Sequence, residues 1–383
     1  MHNTLLLVIV VVIALAFDFT NGFHDTANAV APTIATGALK PRVAVALASL
    51  FNLVGAFLSL KVAATIASAL VAQNLVTLPV IFAGLIGAIA WNVTTWYFAI
   101  PSSSSHALIG GVIGAILVLS GGHAVLWSGL FSKVIIPAGL APLVALIAAA
   151  VALYSARRLT AKVDRSTSTI GYRVGQIGSS SLLSIAHGTN DAQKTMGVVT
   201  LALIANGTLS SNAATPKWVV FCCAIAIALG TFFGGWRIIR TMGQGFTCLT
   251  PQEGFAAQIA SSAVILSSSH MGLPLSTTHV ATGSIVGVGV GTPGQAVRWR
   301  LVGDVALAWI ITLPAAGLFG AISYYVAHLI GGTFGVLVLA LVAGAYVWFL
   351  VRRSRRDVIN SRNVNDAWGE HPETIEVKTV VAA

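Results

Sequence analysis

Two clusters of polar side chains lie in apolar surroundings and carry the clearest chemical signal. The first has residues at i, i+3, i+7 and i+10: Asp18, Asn21, Asp25 and Asn28. The second repeats this spacing later in the chain: Ser184, His187, Asp191 and Lys194. On a continuous helix each set forms one polar stripe. Alternatively, Gly22 and Gly188, which lie inside the stripes, open the helix and free backbone groups to bind ions.

The carboxylates Asp25 and Asp191 hold the same position in the two clusters. An ionised carboxylate at the centre of a bilayer costs about 3 kcal/mol or more, and such residues are functional candidates by default. For amide side chains such as Asn21, hydrogen bonds between packed helices are an equally good explanation. The carboxylate pair therefore predicts a functional site.

Lys194 lies one helical turn after Asp191, where the first cluster has Asn28. An i, i+3 ion pair would account for both charges. A cation beside a cavity would also favour a multivalent oxyanion. The sequence leaves these two interpretations open.

A second repeated motif is a run of hydroxyl side chains between a proline and a histidine, at 101–106 and at 274–279. Hydroxyls at this position cap the helix that follows. A helix N-terminus with free amides is also an anion site, and two such ends in opposite orientation would hold a tetrahedral oxyanion. The candidates are Ser103, Ser104, Ser105, Ser276, Thr277 and Thr278. His106 and His279 either relay protons or bond a carbonyl, and we favour the carbonyl.

Glu253 follows Pro251 at the start of an apolar run, with no Lys or Arg near it in sequence. A carboxylate at such a position is a candidate vestibule site for a cation.

The elements that position these residues are membrane helices. Of the 383 residues 56% are hydrophobic and only 8% are charged, and the mean hydropathy is +0.88, whereas soluble domains carry about 25% charged residues. The composition excludes a soluble globule and predicts an all-α polytopic membrane protein with about 11–12 transmembrane segments. The net charge of +10 comes from 21 Lys and Arg against 11 Asp and Glu. These cations occupy short patches between apolar runs, so they report topology and predict no nucleic-acid partner.

Alternating the passes places most cations on one side of the membrane, which predicts a cytoplasmic C-terminus and an N-terminus outside. This side receives fifteen of them: Lys40, Arg42, Arg157, Arg158, Lys162, Arg165, Arg173, Arg237, Arg240, Arg298, Arg300, Arg352, Arg353, Arg355 and Arg356.

Both motifs recur in the same order, at offsets of 166 (Asp25 to Asp191) and 173 (His106 to His279). The first half has an odd number of passes, so we predict two inverted-topology repeats with discontinuous helices at the site. The predicted parts are a first repeat at 1–154, a cytoplasmic linker at 155–173, a second repeat at 174–326, an additional helix at 327–351 and a cytoplasmic tail at 352–383.

The chain resembles the inorganic phosphate transporter (PiT) family of cation-coupled symporters. The matching segments cover both halves: NGFHDTANAVAPTIATGAL at 21–39, WNVTTWYFAIPSSSSHALIGGVIG at 91–114, AHGTNDAQKTMGVV at 186–199, TPQEGFAAQIA at 250–260 and GLPLSTTHVATGSIVG at 272–287.

The resemblance implies a helical bundle with phosphate between the repeats and a homodimer in the cell (plasma or inner) membrane. The residue patterns carry no information about oligomeric state. Carried over to this chain, the central binding residues are Asp25, Asn28, Asn190 and Asp191, with Ser104, Ser105, Thr277 and Thr278 as a hydroxyl cradle. Lys194 stands where the first repeat has Asn28, and His24 stands where the second has Asn190, so the site is not truly two-fold symmetric.

The expected function is therefore phosphate uptake by symport with a proton or sodium ion, through alternating access. The substrate-binding set adds Ser103, Lys194 and Ser276 to these eight residues. The expected coupling-cation ligands are Asn21, Asp25, Asp191 and Glu253. We expect no cofactor, no catalytic residue and no metal other than a coupling sodium.

Three alternatives stay open at this stage. One is a sulfate or metal-phosphate carrier on the same scaffold. The second is an intramembrane hydrolase that uses Ser105, His106 and Asp25, and the third is a passive anion channel.

Overall fold

The computed structural model describes residues 3–211 and 213–366, whose regular elements are helices. Within this part, the only β-contact is an isolated antiparallel bridge between Val71 and Val125. The first half contains α1 (Thr4–Ala35), α2 (Pro41–Gly55), α3 (Lys61–Ser68), α4 (Leu78–Tyr97), α5 (Ser104–Ser120), α6 (Trp127–Leu130) and α7 (Ile136–Leu159). The second half contains α8 (Arg165–Ala205), α9 (Lys217–Phe233), α10 (Trp236–Arg240), α11 (Pro251–His270), α12 (Thr277–Val290), α13 (Trp299–Ile330) and α14 (Gly332–Ser354). The predicted all-α class is confirmed.

Within the described residues, five helical segments are long and apolar enough to cross a membrane, so the chain is a multi-pass membrane protein. They are α1, α4, the segment Trp127–Leu159 that joins α6 to α7 through a π-helical turn, α13 and α14. A sixth span arises if α9 and the segment Trp236–Gly245, bent by 62°, count as one.

Large apolar side chains cover the outer faces of these helices, among them Ile147, Ile310 and Leu341, as lipid contact requires. Several other predicted spans contain shorter helices, such as α5 with 17 residues and α12 with 14, below the ~20 residues that a crossing needs. The count of 11–12 segments therefore stays a prediction.

Gly22 and Gly188 do not open their helices, because α1 and α8 run through them without a break. They permit close helix contacts instead. A Cβ atom on Gly22 would lie 2.2 Å from the Ile227 carbonyl oxygen in α9, and one on Gly188 would lie 2.2 Å from the Asn52 carbonyl oxygen in α2. The interpretation as helix-opening glycines is wrong, and the polar stripes lie on continuous helices.

The helix breaks lie at the two hydroxyl motifs. α4 ends at Tyr97 and α5 begins at Ser104, while α11 ends at His270 and α12 begins at Thr277. Ser103 accepts a hydrogen bond from the His106 amide (3.2 Å), and Ser276 accepts one from the His279 amide (3.3 Å). These serines are N-caps, so both short helices start with hydroxyl groups inside the protein.

Helices of the first half pack against helices of the second half in a reciprocal pattern. α5 packs on α13 and α12 packs on α7, while α2 packs on α8 and α9 packs on α1. Each half thus covers the polar helix of the other. The matching roles agree with two repeats, and their inverted orientation stays a prediction.

Some helices begin or end a few residues away from the boundaries of the parts predicted from the sequence. Asp164 caps α8 by accepting the Thr167 amide at 2.9 Å, so only residues 160–164 of the expected linker lie outside helices. α13 continues to Ile330, past the boundary expected after residue 326. Of the expected tail, residues 367–383 lie outside the described part of the chain.

We expect Gly188→Ala to lower the melting temperature, because the added methyl group must push α8 away from α2 and overpacking costs about 1–3 kcal/mol. Gly178→Ala is the matched control, since it lies on the same helix with nothing within 4 Å of its Cβ position and gains the same helix propensity. Thermal unfolding of both variants, followed by size-exclusion chromatography after heating, measures the difference. Equal melting temperatures would contradict the role given to Gly188.

Candidate substrate-binding site

The centres of α1 and α8 and the first turns of α5 and α12 meet in one polar cluster. Its two carboxylates are shielded from solvent, with Asp25 at 2% exposure and Asp191 at 0%. The cluster joins both polar stripes to both hydroxyl motifs, although these four segments are far apart in sequence. The structure thus brings together most of the expected binding residues.

Asp25 accepts hydrogen bonds from both short helices. Ser104 Oγ donates to Asp25 Oδ2 at 2.5 Å, and Thr278 Oγ1 donates to Asp25 Oδ1 at 3.4 Å. His24 Nδ1 lies 2.6 Å from Asp25 Oδ1, and His24 Nε2 lies 3.1 Å from Thr95 Oγ1. One carboxylate of α1 therefore connects to helices from both halves.

Asp191 has a cationic partner in addition to a hydroxyl. Lys194 Nζ donates to Asp191 Oδ1 at 2.6 Å, and Thr277 Oγ1 donates to Asp191 Oδ2 at 3.1 Å. His187 Nε2 lies 3.2 Å from Asp191 Oδ2. The i, i+3 ion pair expected between Lys194 and Asp191 is formed.

The ammonium of Lys194 is saturated by protein acceptors. Besides Asp191 it donates to Ser105 Oγ and, at 2.8 Å, to the Leu275 carbonyl oxygen. An ammonium has three donors, and all three are in use. An anion could bind the ammonium only by displacing one of these three acceptors, so the structure shows the ion pair, and an oxyanion at Lys194 stays a prediction.

Two buried amides present oxygen atoms to this region. Asn28 Nδ2 donates to Thr277 Oγ1 (3.2 Å) and Thr278 Oγ1 (3.0 Å), and Asn190 Nδ2 donates to Ser269 Oγ (2.9 Å). Oδ1 of either asparagine is buried without a hydrogen-bond partner in the described part of the chain. Carbonyl oxygens of this kind are typical ligands of hard cations.

Two electron-rich atoms, His187 Nε2 and Asp191 Oδ2, face each other. Asn52 Nδ2 donates to Thr231 Oγ1 (2.7 Å), so Asn52 Oδ1 accepts from His187 Nδ1 at 2.9 Å. In the neutral imidazole, Nε2 then carries a lone pair towards the Asp191 carboxylate. Either a proton or a metal cation between these atoms would remove the repulsion.

A cation has ligands in this part of the cluster. Asp25, His187 and Asp191 each offer one ligand atom, and the three atoms lie within 4.8 Å of one another. Counting Asp25, Asp191 and Lys194 with neutral histidines gives a net charge of −1 (two carboxylates and one ammonium). The cluster therefore favours a cation by charge as well as by ligand type.

Glu253 is the expected site residue that the structure places elsewhere. It begins α11, sixteen residues before Ser269, which corresponds to roughly 24 Å of helix. Its side chain accepts the Thr250 amide (2.8 Å) in a capping box and also contacts Arg157 (3.4 Å) and Thr292 (2.8 Å). Arg157 supplies the cation that the sequence around Glu253 lacks.

Three other expected residues lie beside the cluster. Ser103 and Ser276 act as helix caps, and Asn21 makes no hydrogen bond to either central carboxylate in the described structure.

The histidines of the hydroxyl motifs contact each other, with ring centroids 4.9 Å apart. His279 Nδ1 lies 3.2 Å from the Ala138 carbonyl oxygen, as the favoured interpretation expected. His279 also stacks on Trp309 at 4.1 Å.

Sequence reasoning overlooked Asn52 and Ser269 as contributors to the site, and it left His187 outside the expected binding residues. His187 belongs to the second polar stripe, so its spacing carried the signal. Asn52 is a lone amide in an apolar run, a pattern that equally fits a structural contact. Only the packing of α2 against α8 makes it a partner of His187.

A buried polar cluster enclosed by the helices of a multi-pass membrane protein is the arrangement expected of a membrane transporter. The model of the phosphate transporter family matches residues 21–320, and the chain belongs to this family. The resemblance seen in the sequence motifs is thereby confirmed.

Relatives in this family have transporter names. The chain is 55% identical over 368 residues to a probable low-affinity inorganic phosphate transporter of Mycobacterium leprae, covering 96% of this chain and 89% of that protein. It is 43% identical over 331 residues to a protein of the same name from Bacillus subtilis, with coverages of 85% and 98%. A solved structure titled "The sodium-dependent phosphate transporter" matches with a TM-score of 0.71 at 23% identity, over 86% of this chain and 100% of that one.

The protein is a transporter and not an enzyme, which sets aside the hydrolase alternative. The geometry agrees, because Ser105 bonds Lys194 and the Leu275 carbonyl, whereas the His106 ring contacts the His279 ring.

We expect Glu253→Gln to leave the cation dependence of uptake nearly unchanged. Glutamine preserves the capping box, and the Arg157 partner lies 3.4 Å away and is 34% exposed, so the loss of this pair acts at the start of α11 and leaves the central cluster intact. Uptake of labelled phosphate into proteoliposomes, measured against coupling-cation concentration, should give a half-maximal value within about twofold of the wild type. A shift of about tenfold or more would instead assign Glu253 to cation coupling.

Proposed function

We propose that this protein takes up inorganic phosphate by symport with a cation, through alternating access. The observation that carries the proposal is the buried pair Asp25 and Asp191, each bonded to a hydroxyl of a helix N-terminus beside Lys194. Such a cluster offers oxygen ligands for a cation and donors for an oxyanion in one place. Membership of the phosphate transporter family supports phosphate as the anion.

Charge requires that the anion and cation travel together. The central cluster has a net charge of −1, and phosphate would add further negative charge. An uncompensated anion in a protein interior is prohibitively unfavourable. Cations bound at the carboxylates offset this charge, so coupling follows from electrostatics.

The hydrogen bonds suggest an order of events. Ser104, Thr277 and Thr278 donate to the two carboxylates. A cation that binds these carboxylates competes for their lone pairs and releases the hydroxyl donors. The freed donors, the first amides of α5 and α12 and the Asn28 side chain then face the anion. Cation binding thereby prepares the phosphate site.

Either sodium or a proton fits the electron-rich pair His187 and Asp191. Sodium would use the carboxylates and the free oxygens of Asn28 and Asn190, while a proton would reside on His187. A solved relative of the same fold is described as sodium-dependent.

We also propose that the end of the bundle that holds the C-terminal segment faces the cytoplasm, which places the N-terminus outside. Arg42 donates to Ser361 (3.1 Å), and Arg237 donates to the carbonyls of Ser354 (3.1 Å) and Asp357 (2.8 Å). Cations from α2, α10 and α14 thus meet at one end, as the positive-inside rule requires.

We expect Asp25→Asn and Asp191→Asn each to reduce phosphate uptake about 100-fold or more, because every lost charge-assisted bond costs ~1.5–3 kcal/mol and the cation ligand is removed as well. Initial rates of labelled phosphate uptake into proteoliposomes measure the effect. Asp304→Asn, which changes an exposed carboxylate on α13, is the matched control.

The same vesicles identify the coupling ion. A sodium gradient and a pH gradient are imposed separately, and accumulation against the phosphate gradient is recorded. Normal coupled uptake in both aspartate variants would refute the proposed symport, and equilibration without accumulation in the wild type would favour a passive channel. Competition by sulfate, with and without magnesium, tests the carrier alternatives.

We expect Ser104→Ala to raise the apparent KM for phosphate about tenfold, which corresponds to ~1.4 kcal/mol for one lost donor. Ser120→Ala is the control, since it changes a hydroxyl at the other end of the same helix. Concentration series of uptake in both variants separate KM from the maximal rate. An unchanged KM in Ser104→Ala would remove this hydroxyl from the phosphate site.

A further inference from the structure

A third buried carboxylate lies outside the central cluster. Asp18 is on α1, two turns before Asp25, and is 0% exposed. Its Oδ1 accepts a hydrogen bond from Thr195 Oγ1 of α8 at 2.9 Å. Its Oδ2 has no hydrogen-bond partner of normal geometry in the described part of the chain, although the weakly donating Cys223 thiol lies beside the carboxylate. Within residues 3–211 and 213–366, no Lys, Arg or His forms an ion pair with it.

Asn21 follows Asp18 by three residues on the same face of α1 and is 1% exposed. Neither its amide nitrogen nor its carbonyl oxygen has a hydrogen-bond partner in the described structure. Buried amides are almost always hydrogen-bonded, and leaving both atoms unbonded is unfavourable. A wholly unbonded amide next to an unpaired carboxylate points to a ligand that both side chains bind.

We propose that Asp18, Asn21 and Thr195 form a sodium-binding site, distinct from the cluster around Asp25 and Asp191. Their carboxylate, amide carbonyl and hydroxyl are hard oxygen ligands, the type that alkali and alkaline-earth cations select. A single positive charge compensates Asp18. Protonation of Asp18 would also remove its charge and would supply one O–H donor, and a response to sodium at constant pH distinguishes the two.

The proposed site lies between α1 and α8, so a sodium ion bound there would act on both helices. Thr195 lies one turn after Asp191 on α8, and Asp18 lies on α1. A bound ion therefore connects the polar helices of the two halves. It also adds positive charge near Asp191 without occupying the ligands of the central cluster.

Sodium binding is tested on the purified full-length protein in nanodiscs without phosphate. Sodium chloride is titrated against choline chloride and potassium chloride at equal ionic strength. The readouts are the melting temperature and the binding of radiolabelled sodium. The measurements are made on the Asp25→Asn variant, because this substitution weakens any binding of sodium to the central cluster. In this background we expect saturable binding, and Asp18→Asn should weaken it about tenfold or more. Asp304→Asn should leave it unchanged.

Asn21→Leu separates a ligand role from a structural one. Since the Asn21 side chain makes no hydrogen bond within the described residues, the similar-sized apolar leucine should hold or raise the melting temperature in sodium-free buffer while sodium affinity falls about tenfold. A lower melting temperature together with unchanged sodium affinity would overturn the proposal. Equal sodium binding by the Asp25→Asn variant with and without Asp18→Asn would also overturn the proposal. A melting temperature that depends on pH through Asp18 but does not respond to sodium would overturn it as well. Because no phosphate is present, these results are independent of the proposed symport.

Discussion

Two carboxylates without access to solvent, Asp25 and Asp191, set the requirement that the rest of the site meets. A buried negative charge persists only when hydrogen-bond donors or cations surround it. The chain supplies these from four separate segments: hydroxyls from the first turns of α5 and α12, the Lys194 ammonium from α8, and His24 of α1 beside Asp25. The breaks between α4 and α5 and between α11 and α12 are what bring hydroxyls to this depth.

Close helix packing holds this arrangement in place. Because Gly22 and Gly188 lack side chains, α9 approaches α1 and α2 approaches α8 at the level of the site. Asn52 of α2 then reaches both Thr231 of α9 and His187 of α8. The orientation of His187 towards Asp191 is thus fixed by a contact between the two halves. A relative movement of the halves would alter the ligand set, which is the property that alternating access needs.

The same groups serve as partners of the carboxylates and as prospective ligands of an anion. Ser104, Thr277 and Thr278 donate to Asp25 and Asp191, and Lys194 divides its three donors among Asp191, Ser105 and Leu275. In the proposed symport, cation and anion binding are linked through these shared hydrogen bonds. One compact cluster would thereby couple two ions of opposite charge.

The sequence by itself determined the membrane class, the helices, both repeated motifs and nearly all residues of the central cluster. These features depend on composition and on local periodicity, which any helix expresses. Tertiary structure decided the partners. Arg157 pairs with Glu253 across 96 residues and Asn52 meets His187 across 135. Gly22 and Gly188 proved to be contact points in continuous helices. Such pairings arise from how helices of opposite halves pack, and no local pattern encodes them.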